Sequence, residues 1–313
     1  MNTRGMKVYA VKHKDENVVQ NSRSGGIFTA LSDLFIDKGK IYGCILNNEL
    51  KVVHIGSSNE DDRNKMRGSK YVQSNVGNCF RDIKNDLLEN KFVLFSGTSC
   101  QVAGLRSFLK KEYPNLLCVD IVCHGVTSPL LFENYLNYFG KVTNIEIRNK
   151  KDFGWRDHTE TLLLKDKKID SKIWTNIFYS GNALRPSCYK CPFKSIYHPG
   201  DITIGDYWGI ENVAPEFDDN KGVSIVMVNT PKGACWFEKT KGKIHWKETR
   251  IENSMQRAFE RSENCPKGRD RFWENFRKRN FSFIASQYNE KKSPIRRLCM
   301  KLKKLFCKKR KWM

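Results

Sequence analysis

Four cysteines stand where a thiol can reach a metal. Cys100 lies in GTSCQ, directly after the apolar run FVLF, and Cys123 lies in VCHG, closing the run LLCVDIV. If both runs are parallel strands of one sheet, both thiols sit at its carboxyl edge, where open α/β sheets place their ligands. Cys188 and Cys191 form a C-x-x-C followed by Pro192, a loop short enough to aim two thiolates at one centre. Four thiolates suffice for a tetrahedral zinc site or a cubane iron–sulfur cluster, and a C-x-x-C also serves redox chemistry. The other cysteines are plainer. Cys44, Cys118 and Cys235 fall inside apolar strands or helices and read as small core residues. Cys79 and Cys265 take no assignment, and Cys299 and Cys307 lie in the C-terminal tail.

Two segments offer donors for an anion. SRSGG (residues 22–26) precedes a helical pattern, so Ser22, Ser24, Gly25 and Gly26 present hydroxyl and backbone N–H groups of the kind that bind phosphate. An ordinary capped turn has the same composition. RGSKYVQS (67–74) sets Arg67, Lys70 and Tyr71 around a glycine, suited to a phosphate or a flavin edge and equally to a solvated basic turn. GDYWGI (205–210) packs two aromatics beside Gly and Asp, as a turn shaping a cofactor or as a core corner. His124, beside Cys123, is the candidate acid or base, against the commoner structural role of a lone histidine.

The elements that must position these residues alternate along the first two-thirds of the chain. MKVYAVKH reads as a strand, and IFTALSDLFIDKGK as a helix ended by Gly39. IYGCIL and KVVHIG read as a strand pair. FRDIKNDLLEN, QVAGLRSFLKKEY and SPLLFENYLNYFG read as helices, the last with Ser128 as cap and Pro129 in its first turn. KFVLFSGTS and NLLCVDIV are strands between them. After Gly140, NIEIRNK and ETLLLKD read as strands flanking DFGWRDH, and residues 184–210 are too irregular for one element. KGVSIVMVNT returns to strand and PKGACWFEKTKG to helix. The fold class is α/β: a mixed, partly parallel sheet with flanking helices, an irregular Cys-rich cofactor segment and a basic helical C-terminus. The expected division is a domain over 1–250, a basic helical extension over 251–290 and a tail over 291–313.

Composition bounds the class. The 313 residues are 39% hydrophobic, enough for a real core, and no apolar run approaches the ~20 residues of a membrane span. The first residues show no secretory pattern, so a reducing, cytoplasmic setting is expected, in which eleven cysteines point to metal or redox chemistry rather than disulfides. The net charge is +22, and half of it falls in the last 23 residues, which carry eleven Lys and Arg and no acid. The body is therefore only moderately basic, which suits an anionic cofactor. The basic residues are not interleaved with a reading motif, so no specific nucleic acid partner is expected.

Read together, SRSGGIFTAL, RGSKYVQS, LFSGTSCQVAGLRSFL, VDIVCHGVTSP, LRPSCYKCPF and DITIGDYWGI resemble the coenzyme F420 hydrogenase/dehydrogenase beta-subunit family, in consistent order from about Lys7 to Thr230. The resemblance implies an oxidoreductase passing electrons between a hydride carrier, FAD and one 4Fe-4S cluster. It implies cluster ligands at Cys100, Cys123, Cys188 and Cys191, with SRSGG and RGSKYVQS facing the FAD. The diphosphate is then expected near Ser24, Gly25 and Gly26, and the ring system near Lys70, Tyr71 and the Gly97–Thr98 turn. The hydride carrier is coenzyme F420 or NAD(P)H. The family motif usually reads GTPCQ and HGVPSP, where this chain has Ser99 and Thr127. Many relatives begin with a ferredoxin-like cysteine cluster, but here no cysteine precedes Cys44, so a redox partner such as a ferredoxin is expected.

Two other classes stand beside this reading: a metal-stabilised binding module, and a surface-glycan biosynthesis protein that reuses the scaffold without redox turnover. Residues 293–313 carry a separate expectation. As a helix they place Ile295, Leu298, Leu302, Leu305, Phe306 and Trp312 near one face, flanked by Lys and Arg. That pattern fits an anionic membrane surface at the inner face of the membrane; a solvated helix or an RNA-binding tail is the plainer alternative.

Overall fold

The computed structural model describes residues 6–289. The tail pattern over 293–313 and its membrane reading lie outside the described residues, as do Cys299 and Cys307.

An eight-stranded sheet organises the chain. Its strands are β1 (Lys7–His13), β2 (Gly39–Leu46), β3 (Val52–Ser57), β4 (Phe92–Thr98), β5 (Leu116–Ile121), β9 (Ile202–Asp206), β10 (Ser224–Val228) and β11 (Ile244–Thr249). The order across the sheet is β11-β1-β10-β9-β5-β4-β2-β3. The four central strands β2, β4, β5 and β9 run parallel, while β3 and the β10-β1-β11 side pair antiparallel. A separate three-stranded antiparallel sheet holds β6 (Val142–Glu146), β7 (Glu160–Leu164) and β8 (Lys168–Ser171). The mixed, partly parallel α/β expectation therefore holds.

Period-two alternation explains why helices cover both faces. On β4, Leu94 joins one core with Leu117 and Val119 of β5, while Val93 and Phe95 join another with Leu116 and Cys118. On β1 and β10, Val8, Ala10, Ile225 and Met227 alternate with Tyr9, Val11, Val226 and Val228 in the same way. A strand buried on both faces reads as a continuous apolar run, which is what FVLF and LLCV are. The helix Ser99–Leu109 follows β4 directly and returns the chain to the parallel β5. Its Thr98–Gln101 capping box fixes the turn that carries Cys100.

A further core lies between the small sheet and the helices Pro129–Phe139, Ile173–Tyr179, Arg269–Lys278 and Phe281–Tyr288. Phe272, Phe281, Ile284 and Ala285 are buried there, so the helices Arg269–Lys278 and Phe281–Tyr288 pack into the body. Among the described residues, no helix is long and apolar enough to cross a membrane.

Several local expectations are corrected. The helix opening at Ile27 ends at Ser32, and turns carry the chain to Gly39. Ser128 occupies the cap position before Pro129 without a side-chain cap bond. Cys235 is exposed on the helix Pro231–Glu238, not buried. The helix Glu60–Met66, capped by Asn59 through Asp62 N, was legible as Asn followed by three acids but not expected. Nor was β9, the parallel strand emerging from the irregular segment.

Candidate functional site

A cavity of about 370 Å³ opens at the carboxyl ends of β4 and β5. Most of the residues singled out from sequence line it: Ser22, Ser24, Gly26, Arg67, Lys70, Tyr71, Gly97, Thr98, Cys100, Cys123 and His124. They come from the loop after β1, the segment after the helix Glu60–Met66, and the turns after β4 and β5. Cys44, expected in the core, lies on the wall as well. Cys188, Cys191 and Gly25 are not lining residues.

Gly25 serves the protein, not a ligand. A Cβ there would stand 2.2 Å from Val11 O and 2.7 Å from Ser224 N, and its N–H donates to Ser224 Oγ at 2.9 Å. The loop of residues 22–26 is thus pressed onto β1 and β10. Gly25→Val is expected to cost more than about 2 kcal/mol in urea denaturation of the cofactor-free protein. A variant of unchanged stability that had lost only ligand binding would return Gly25 to the cavity wall.

A second chamber of about 270 Å³ adjoins the first, sharing Ser22, Arg23, Arg67, Gly68, Ser69, Lys70 and Arg148. The shared wall holds uncommitted donors. Ser22 Oγ, Arg23 Nε and Nη2 and Arg67 Nε are buried without partners among the described residues. Arg23 spends only Nη1, on the carbonyls of Ile147 and Arg148, and burial followed by the Arg148 charge lowers its pKa to about 10. A buried donor left unpaired costs about 1–3 kcal/mol, more when charged, and an oxyanion would satisfy these groups.

Lys70 behaves otherwise. Its ammonium donates to the carbonyls of Lys65, Met66, Arg67 and Gly68, closing the C-terminal end of the helix Glu60–Met66. Burial lowers its pKa to about 8. The ammonium is a brace for the segment that carries Arg67 and Tyr71. Tyr71 has φ +52°, a left-handed conformation uncommon for a bulky residue. It is held there by Thr127, whose N–H and Oγ1 both bond Tyr71 O, at 3.4 and 2.8 Å, and by ring contact with Phe178 at 4.4 Å. Proline at 127 could supply neither bond.

Arg148 ties the two sheets together at the cavity wall. It is 2% exposed, and it donates to Asp206 Oδ2 at 2.7 Å, Tyr71 Oη at 3.2 Å and Trp155 O at 3.0 Å. Asp206 also accepts from Trp155 Nε1 at 2.8 Å. Burial works against the Asp206 charge, yet the Arg148 guanidinium holds its carboxyl below the usual range. Within GDYWGI, Asp206 and Trp208 line the cavity while Tyr207 is buried in the core. His124 faces the cavity, but burial and then Lys194 lower its pKa to about 4, leaving a neutral imidazole.

The thiols converge from three segments. Cys100 is exposed, and Cys123, Cys188 and Cys191 are half-buried, all free. Burial pushes the Cys123 thiol up to about 11; Lys194 opposes this, and Cys188 and Cys100 add to it. Burial also raises Cys188, with Cys191 and Cys100 contributing. Cys100, Cys123 and Cys188 therefore stand in one another's electrostatic field, and Cys191 in that of Cys188. Arg185 N bonds Val126 O at 2.8 Å, fastening the C-x-x-C segment beside the turn after β5. Among the described residues, no three His, Cys, Asp or Glu side chains close on a single-ion site. The donor set, four cysteines beside Lys194, fits a cluster of net negative charge.

Arg23 and Arg148 were not anticipated, and Asp206 was noted only as part of GDYWGI. A charge beside a turn or a strand reads as solvated until its burial is seen. The usable signal was the combination of arginine with small residues in SRSGG.

A family profile for the C terminus of the coenzyme F420 hydrogenase/dehydrogenase beta subunit matches residues 90–253. Among solved structures, a chain of the F420-reducing [NiFe] hydrogenase complex from Methanosarcina barkeri is similar, with a TM-score of 0.52 over 77% of this chain and 81% of that one. The two are 17% identical, so the likeness is one of fold. No curated protein sequence matches the chain.

Proposed function

The chain belongs to the coenzyme F420 hydrogenase/dehydrogenase beta-subunit family, and from that membership we propose an oxidoreductase that holds FAD in the cavity and a 4Fe-4S cluster on Cys100, Cys123, Cys188 and Cys191. When bound, the flavin exchanges a hydride with a two-electron carrier, coenzyme F420 or NAD(P)H, and the cluster relays single electrons to a partner such as a ferredoxin. One observation carries the reading: Cys100 and Cys123 line the same cavity as the uncommitted donors of Ser22, Arg23 and Arg67.

The chain's own residues divide the work. Arg23, Arg67 and Ser22 bind the diphosphate, replacing Ser24 and Gly25, whose polar groups are spent on Val223 O and Ser224 Oγ. Tyr71, Phe178 and Trp208 give the wall flat apolar faces that orient a ring system and exclude water.

The absorbance spectrum of anaerobically purified protein tests the proposal. Flavin bands with a broad visible shoulder are expected. A colourless zinc protein would favour a metal-stabilised binding module, and a colourless metal-free one a scaffold without redox turnover. Arg23→Met is expected to weaken FAD binding on the order of 10- to 100-fold in a fluorescence titration, with iron content unchanged. Unchanged affinity would move the diphosphate off the shared wall.

A further inference from the structure

Behind the cavity, one buried network touches all three thiol-bearing segments. Ser99 opens the helix Ser99–Leu109 beside Cys100, Asp120 lies on β5 before Cys123, and His198 lies in the loop that follows Cys191. His198 Nδ1 stands 2.9 Å from Asp120 Oδ2 and 3.2 Å from Ser99 Oγ. The His198 and Asp120 side chains are 2% and 0% exposed. The other Asp120 oxygen accepts from Thr203 Oγ1 at 2.6 Å.

An ionised carboxylate only accepts, so Nδ1 carries the proton and shares it between Asp120 and the Ser99 hydroxyl. The loop is also pressed onto β5, since a Cβ on Gly200 would stand 2.6 Å from Asp120 Oδ1. Residues 191–200 contain neither helix nor strand, so no backbone ladder fixes them relative to β4 and β5. Lys194, in the same loop, donates to Cys123 O, and the His198 N–H, directed at groups from both neighbouring segments, extends that registration to the Cys100 turn.

We propose that His198 is a positioning residue for the thiolate centre, holding the C-x-x-C loop in register with the Cys100 and Cys123 turns through its shared Nδ1–H. The inference rests on the four-thiolate reading given above. It also gives Ser99 a purpose, because a proline there would offer no hydroxyl to His198.

The test uses the full chain, reconstituted anaerobically with iron and sulfide, as wild type, His198→Asn, His198→Gln and His198→Ala. The asparagine amide overlays Nδ1, whereas the glutamine amide reaches the place of Nε2. Iron release to a chelator and the cluster midpoint potential are measured, with flavin content and circular dichroism as checks on folding. The Ala and Gln variants are expected to release iron on the order of 10- to 100-fold faster and to shift the potential, as loss of an outer-shell partner does, while Asn stays near wild type. Wild-type retention by Ala or Gln would overturn the proposal, as would an Asn variant failing as badly as Ala, since packing of the ring would then be the cause. Absence of a cluster from the wild type would bring down the four-thiolate reading itself, and the inference with it. A clustered wild type whose His198 variants are indifferent removes the inference alone.

Discussion

A Cys188→Ser, Cys191→Ser double variant is expected to lose all cluster iron and to melt at a lower temperature. The segment holding these cysteines has one short 3₁₀ turn, Pro186–Lys190, and few backbone bonds to its surroundings, chiefly Arg185 N to Val126 O. A four-thiolate centre would tie it to the turns after β4 and β5. By the chain-entropy relation for cross-links, closing loops of this size contributes on the order of 4 kcal/mol. Iron and sulfide analysis and an anaerobic melt are the measurements, with Cys235→Ser as control because that thiol is exposed on a distant helix. Full iron content in the double variant would refute the ligand assignment, whatever the melt showed.

The second large effect is expected at Arg148. Arg148→Met leaves the Asp206 carboxylate buried with only Trp155 Nε1 as side-chain partner, and removing one member of a buried pair costs about 3–5 kcal/mol. The sign of the pH dependence separates this cause from lost packing. In the wild type the Asp206 pKa is depressed, so its contribution is present above the ordinary carboxylate value of ~3.9 and is lost as pH falls through the lower folded value. In the variant burial dominates and raises the folded pKa above the unfolded one. The variant's penalty should then shrink as pH falls from 7 toward 4, in chemical denaturation followed by fluorescence. A penalty that does not change with pH would assign it to packing. Arg148→Met combined with Asp206→Leu should be less destabilised than Arg148→Met alone.

The parallel core and the addresses of Cys100 and Cys123 were legible because a strand buried on both faces leaves an unbroken apolar run with a turn at its end. The chemistry of the loop after β1 was half legible. Its donors were identified by type, but Gly25 turned out to face Val11 and Ser224, and the buried cation with uncommitted donors is Arg23. The bracing bonds of Lys70 were not legible for a traceable reason: without the helix Glu60–Met66, nothing in sequence offered its ammonium a set of carbonyls. Asp206 was noticed within GDYWGI, yet its partner Arg148 is 58 residues away and only the meeting of the two sheets pairs them. His198 lay hidden in an irregular stretch, where no periodicity marks which side turns inward.

The strand order also dictates when this protein can become itself. β1 leaves the ribosome before the other strands of this sheet, yet it pairs only with β10 and β11, the last two of them to be made. Until residues 224–249 emerge, β1 is an unpaired apolar segment, prone to associate with other chains. The loop of residues 22–26 lacks its seat on Ser224 for the same interval. Loading of the proposed flavin therefore has to follow synthesis of β10, and a nascent chain stalled before β10 should depend on holding chaperones while retaining no flavin.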